Sequence, residues 1–279
     1  MTRMIWTATV ASALLCGPAI AGDDAVVAPA DRVPVAREVD VLVVGGTTAG
    51  VAAAEAAAKA GATVFLAAPR PHLGADVCAP GRLWEPAGGD EASGRAQARR
   101  ALGLGPGRWT PPMTVKRALD AALLDAGVTF LTGCCVTDVL RDAAGRPAGV
   151  VLAHRSGTEA MVAKVVIDAT QHAVVARRAG AAFRPYRAGR HTFRRVVIGG
   201  AGAAKAGARA ENLPVTAPAR GGRRGPKTVP QPVYLYTLSA AMKDGSWASF
   251  MRAERAARDA TWDRRQVGTS ELLFQVPPA

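Results

Sequence analysis

Aromatic residues are scarce in this 279-residue chain: five Trp, three Tyr and six Phe make up 5 % of it. The apolar share of 49 % is carried by small residues, alanine foremost. No internal run of about 18 apolar residues occurs, which excludes a helical membrane-spanning body. Four cysteines are too few to staple a chain of this length, so a disulfide scaffold is excluded as well. Lysine is nearly missing, at six against 29 arginines, and 35 basic against 22 acidic side chains leave a net charge of +13. That charge attracts anionic polymers without selectivity, and a specific nucleic-acid function needs a motif besides. The one arginine–glycine tract, Arg220-Gly221-Gly222-Arg223-Arg224-Gly225, has no interleaved aromatic and reads as a solvated basic loop. His72, His154, His172 and His191 have no partners at metal-ligand spacing and sit in no nucleophile motif, so no metal site and no catalytic residue stands out.

What is present begins with a leader-like head. Arg3 precedes an apolar run over residues 4–15, and Ala19-Ile20-Ala21 offers a small-residue cleavage site before Gly22. This predicts an export signal over 1–21, a linker over 22–38 and a periplasmic or extracellular mature protein. Cleavage would remove Cys16 and leave Cys78, Cys134 and Cys135, an odd set that suits buried thiols better than bridges.

The strongest signal starts at Val39. Residues 39–44, VDVLVV, read as a strand buried on both faces of a parallel sheet. They run into Gly45-Gly46-Thr47-Thr48-Ala49-Gly50, then into the helix-forming VAAAEAAAKA, which Gly61 stops. A second strand, ATVFLA, follows over 62–67. A glycine cluster between strand and helix inside one βαβ unit is the context in which such a turn binds a dinucleotide. Gly45 allows the tight turn, Gly50 lets the helix approach the sheet, and the helix N-terminus faces the pyrophosphate. The turn departs from G-x-G-x-x-G at Thr47, which stands in place of the middle glycine. The acid that ends the second strand and binds a ribose hydroxyl is replaced by Ala68.

The segment DVLVVGGTTAGVAAAEAAAKAGATVFLAAP resembles the N-terminus of FAD-dependent oxidoreductases of the glutathione-reductase superfamily. Within it, the segment is most similar to large, often exported bacterial flavoproteins whose first motif reads GGTxAG. The resemblance continues in PRPHLGADVCAPGRLW, where it implies a flavin-facing segment and makes Cys78 either redox-active or a buried structural thiol. It resumes in GVTFLTGCCVTDVLRDAAGRPAGVVLAHRSGTEAMVAKVVIDAT. There it implies an antiparallel β-meander with Val136 against the adenine, and a D-A-T segment, Asp168-Ala169-Thr170, beneath the phosphates with Gln171 in place of the glycine. On the residues alone, Asp168 also reads as a strand-end cap for the next helix. The FAD contacts thus implied are Gly45, Gly46, Thr47, Thr48, Ala49, Gly50, Pro69, Arg70, Val136, Ala169 and Thr170.

The expected fold is α/β: a Rossmann-type FAD/NAD(P)-binding three-layer domain over 39–182 with an inserted β-meander, then an incomplete second α+β domain over 183–279. A helix is predicted over 115–126, closed by Gly127, and strands over 128–131, 136–140, 149–154 and 160–167. Beyond these, strands are expected over 183–195 and 233–238, a Pro/Gly/Arg loop over 209–227, and a helix over 246–258 whose apolar face is Trp247, Phe250 and Met251. VVIGGAG at 196–202 imitates a second nucleotide turn but no clean strand is expected after it. The resemblance implies hydride transfer from an unidentified substrate to flavin. It also implies that the chain is the N-terminal part of a larger enzyme, needing its missing C-terminal part or a second copy of itself. In that case the apolar strand VYLYTL would be an open edge prone to self-association, and the chain would bind FAD weakly or not at all and turn over no substrate. Two other readings use the same turn: an NAD(P)-binding dehydrogenase, and an exported basic protein that keeps the fold without catalysis.

Overall fold

The computed structural model describes residues 32–85, 101–105, 107–203, 205, 207–220 and 228–276. The export signal and the 221–225 tract therefore lie outside the described residues. From Val33 onward the described chain packs as one compact unit. No helix among the described residues is long and apolar enough to cross a membrane.

Two sheets share this unit. The first contains β1 (Val35–Val44), β2 (Val64–Ala68), β3 (Thr129–Thr132), β4 (Cys135–Arg141), β5 (Pro147–His154) and β6 (Gly157–Asp168), in the order β3-β2-β1-β6-β5-β4. β1, β2, β3 and β6 run parallel, while β4 and β5 return antiparallel along β6. Strand β1 starts at Val35, earlier than the predicted Val39, because Val35 to Val39 already pair with residues 160–163 of β6. The last residues of the expected linker are thus strand.

The apolar run of β1 is explained by its two covered faces. Val43 packs toward helices α1 (Thr48–Lys59) and α3 (Pro112–Asp125), in a cluster with Val51, Ala54, Leu119 and Leu123. Leu42 and Val44 face the other way, onto Val139 of β4, Val150 and Leu152 of β5 and Val175 of the short helix α4 (Val174–Arg178). Helices, parallel sheet and β-meander are the three layers of a Rossmann-type fold. A short helix, α2 (Ala75–Cys78), follows β2.

The second sheet is antiparallel: β7 (Gly189–Gly199), β8 (Ala208–Arg220), β9 (Thr228–Met242) and β10 (Gln266–Thr269) in the order β10-β7-β9-β8, with β11 (Phe274–Gln275) also on β7. Three sequence expectations are corrected here. The predicted loop over 209–227 is strand as far as Arg220. Leu213, Val215 and Ala217 are buried and alternate with exposed Pro214, Thr216 and Pro218. The two prolines that suggested a loop are tolerated because β8 is an edge strand, and the register shifts between Asn212 and Thr216. VYLYTL is not an open edge but part of β9, paired with β7 on one side and β8 on the other. The predicted strand over 183–195 begins only at Gly189.

Helix α5 (Trp247–Thr261) is capped by Ser246, and it buries Ser249, Ala253, Ala257 and Thr261. This small-residue face replaces the one expected, since Trp247 is 76 % exposed and Met251 45 %. Only Phe250 of the predicted face turns inward, edge-on to Tyr186 at 5.7 Å between ring centres. The opposite face of the second sheet joins the first through Val196, Leu213, Val215, Ala217 and Val233. These lie in one cluster with Val43, Leu66, Leu73 and Leu83.

Candidate functional site

The C-terminal ends of β1, β2 and β6 meet at one place, where the parallel sheet hands its chains to loops. The β1–α1 turn holds its shape by close backbone approach. Gly45 has φ +119°, and a Cβ there would run into the carbonyl of Ala169 at the end of β6. A Cβ on Gly46 would lie 2.7 Å from the Ala68 Cβ and 2.9 Å from Leu73. A Cβ on Gly50 would overlap the Gly45 carbonyl oxygen and come within 3.1 Å of the Ala169 Cβ. Each glycine therefore sits where two segments touch.

Thr47, the departure from the glycine pattern, is the N-cap of α1. Its hydroxyl accepts from Gly50 N at 3.0 Å and donates to the Ala169 carbonyl, also at 3.0 Å. It binds turn, helix and β6 end together, which a glycine could not do. The Thr48 amide is occupied as well, donating to Asp76 Oδ1 at 2.9 Å while its hydroxyl donates to Oδ2 at 2.6 Å. Two of the first three amides of α1 are thus satisfied inside the chain rather than left for a phosphate. The Asp76 carboxylate sits at the positive end of the helix dipole. Sequence reading missed Asp76, because nothing in GADVCA signals that α2 folds back onto this turn.

Beside the turn opens a cavity of about 220 Å³. Of the residues predicted from sequence, it brings together Gly45, Gly46 and Thr47 from the turn, Pro69 and Arg70 after β2, Val136 of β4 and Thr170 after β6. Thr48, Ala49, Gly50 and Ala169 are not in its wall; Gly50 and Ala169 support it from behind. Val44, Ala67, Ala68, Ala75 and Val174 add apolar surface, and His72, Cys134, Cys135, Gln171 and His172 complete it. His172 is exposed at the cavity margin.

The β6 end is pinned by Asp168. Its Oδ1 accepts from the Thr170 amide at 3.0 Å and the Thr170 hydroxyl at 2.7 Å, and its Oδ2 accepts from Ala176 N at 2.9 Å. Burial opposes its ionisation, but these donors outweigh burial and hold the carboxyl below its ordinary range. The capping reading of Asp168 is thereby realised, while its neighbour Thr170 lines the cavity.

Cys78 is buried in the main core cluster, and burial, with the carboxylates of Asp76 and Glu271 adding to it, pushes its thiol up to about 11. Its burial in the core matches the structural reading of Cys78 rather than the redox-active one. Cys134 is buried and raised for the same reason, and Cys135 is exposed. Among the described residues no cluster of His, Cys, Asp or Glu could hold a metal ion.

Residues 40–269 match the family model described as FAD dependent oxidoreductase. The chain belongs to the FAD dependent oxidoreductase family. That membership indicates FAD as the cofactor and decides between the flavin and pyridine-nucleotide readings of the β1–α1 turn. No curated protein matches the chain. Among solved structures it is similar to CabE, an aromatic hydroxylase from angucycline biosynthesis (17 % identity, TM-score 0.53, covering 86 % of this chain and 52 % of that one). It is also similar to BexE, studied for oxidation during BE-7585A biosynthesis (15 %, 0.51, 85 % and 52 %), and to AlpK (15 %, 0.51, 86 % and 58 %). At these identities the likeness is one of fold. The chain spans about half the length of the first of these neighbours.

The residues present fit the FAD of this family at its adenosine end. The cavity joins an apolar floor at Ala67, Ala68, Val136 and Val174 to the glycine turn at the head of α1. Adenine needs the first and the diphosphate needs the second.

Proposed function

We propose that the chain is a flavin-dependent oxidoreductase that holds FAD across the β1–α1 turn and oxidises a small-molecule substrate. FAD held there by Gly45, Gly46, Thr47, Arg70, Val136 and Thr170 would supply two-electron chemistry, with a substrate carbon as the hydride donor. The observation that supports this reading is the cavity at the ends of β1, β2 and β6, with Gly45, Gly46 and Thr47 on one side and Arg70, Val136 and Thr170 on the others.

In this reading Gly45, Gly46 and Thr47 face the pyrophosphate, and Gly50 and Ala169 keep helix and sheet close enough to leave room for it. Val136 covers the adenine, and Pro69 and Arg70 border its ribose. The chain's own contribution is binding and orientation, and none of its side chains stands out as a base. The likeness to the exported GGTxAG flavoproteins, together with residues 4–21, supports export of the mature protein by a cleavable signal.

The deciding experiment is the visible spectrum of the purified full chain after gel filtration in excess FAD. Co-elution of flavin absorbance with the protein is expected, with bleaching on anaerobic addition of a reductant. A folded protein that leaves colourless, and whose tryptophan emission FAD does not change, would overturn the reading.

A further inference from the structure

The end of the cavity beyond β2 is bordered by Arg70 and by no carboxylate among its described lining residues. Strand β2 ends at Ala68, fully buried, where a dinucleotide site places the carboxylate that accepts from a ribose hydroxyl. Two residues on, Arg70 lines the same cavity, and the other ionisable groups of its wall apart from the two thiols are His72 and His172. No Asp or Glu is among the described residues of that wall. Ala68 in the place of an acid, together with an arginine just past β2, is an arrangement that suits a phosphate on the ribose 2′ position rather than a free hydroxyl.

Arg70 can be recruited. Its Nη1 lies 3.6 Å from Glu271 Oε2, and the two side chains are 41 % and 54 % exposed. A pair so open to water holds its partners weakly. A phosphate dianion offers the planar guanidinium a bidentate contact in its place.

We propose that the Arg70 end of this cavity is a subsite for the 2′-phosphate of adenine nucleotides, so that 2′-phosphorylated dinucleotides compete with FAD for the site. The proposal rests on the reading of the cavity as the dinucleotide site and adds the chemical class of a second ligand to it.

Calorimetric titration of the full chain with adenosine 2′,5′-bisphosphate, adenosine 3′,5′-bisphosphate and 5′-AMP tests it. The 2′,5′ isomer should bind about tenfold or more tightly than 5′-AMP, as expected for one added charge-assisted contact. The 3′,5′ isomer, of equal charge, should not share the gain, and in R70Q the 2′,5′ isomer and 5′-AMP should bind alike. Equal affinity of these two for the unmodified chain overturns the proposal. An equal gain for both bisphosphates also overturns it, because the net charge of +13 would then be the cause. Persistence of the gain in R70Q, with the fold intact by circular dichroism, removes Arg70 from the subsite. If FAD binds and none of the three mononucleotides does, the proposal falls alone. If FAD fails as well, the dinucleotide reading of the cavity falls with it.

Discussion

Gly50 carries the tightest constraint of the β1–α1 turn, since any side chain there meets the Gly45 carbonyl. Gly50→Leu is expected to push α1 off the sheet, abolish FAD binding and lower stability. Stoichiometric flavin retained by that variant after gel filtration would place the cofactor elsewhere. Neighbouring Thr47 shows how a departure from the glycine pattern becomes an asset, with one hydroxyl bridging Gly50 N and the Ala169 carbonyl. The thiols make a second residue-scale test. Cys78 is pushed up to about 11 and Cys134 is raised by burial, and Cys135 is the exposed one of these three. Brief alkylation of the native protein near neutral pH, mapped by peptide mass spectrometry, should label Cys135 far ahead of the other two. Fast labelling at Cys78 would contradict its place in the core.

The cap that Asp168 gives to the β6–α4 connection is pH-dependent in a defined direction. Its folded carboxyl lies below the ordinary value, so its contribution is complete above about pH 5 and is lost as pH falls through the folded value. The difference in urea midpoint between the wild type and Asp168→Asn should therefore shrink on acidification. A difference that stays constant into the acid range would show that the carboxylate charge is not what holds the connection. In the second sheet, β9 lies between two neighbours and Tyr236 is 2 % exposed, whereas Trp247 of α5 stands in solvent. Tyr236→Ala should cost about 3–5 kcal/mol, the usual range for emptying a large aromatic site. Trp247→Ala should fall within about 0.5 kcal/mol of the wild type. Equal losses in the two variants by chemical denaturation would refute the assigned orientation of these elements.

At the scale of the molecule, the two sheets share, among the described residues, an apolar cluster that runs from Val43 and Leu73 to Val196, Leu213 and Val233. Sheets that share one core unfold together. Urea unfolding followed by far-ultraviolet circular dichroism and by tryptophan emission should give coincident midpoints. Separated transitions would mean that the second sheet is an independent domain. The shared core also removes the reason for expecting self-association through VYLYTL, because that strand has neighbours on both sides.

The amino-acid sequence by itself determined the β1–α1–β2 unit, the glycine turn and the strands after α3, while the meander layout and the approach of the Asp168-Ala169-Thr170 segment were implied by the family resemblance. The former are local patterns: a doubly buried strand must be continuously apolar, a tight turn must have glycine, and a helix end must be capped. Only the tertiary structure decided the rest. Pro214 and Pro218 look like strand breakers until β8 is known to be an edge, where their missing N–H groups leave no ladder bond unmade. The apolar residues Trp247 and Met251 look like a buried face until α5 is seen lying on β9 through its alanines, which permit the closer approach. Asp76 looks like any turn carboxylate until α2 folds back to set it on Thr48. In each case the deciding partner is distant in sequence or on another strand, and burial or hydrogen bonding against that partner overrides the local preference.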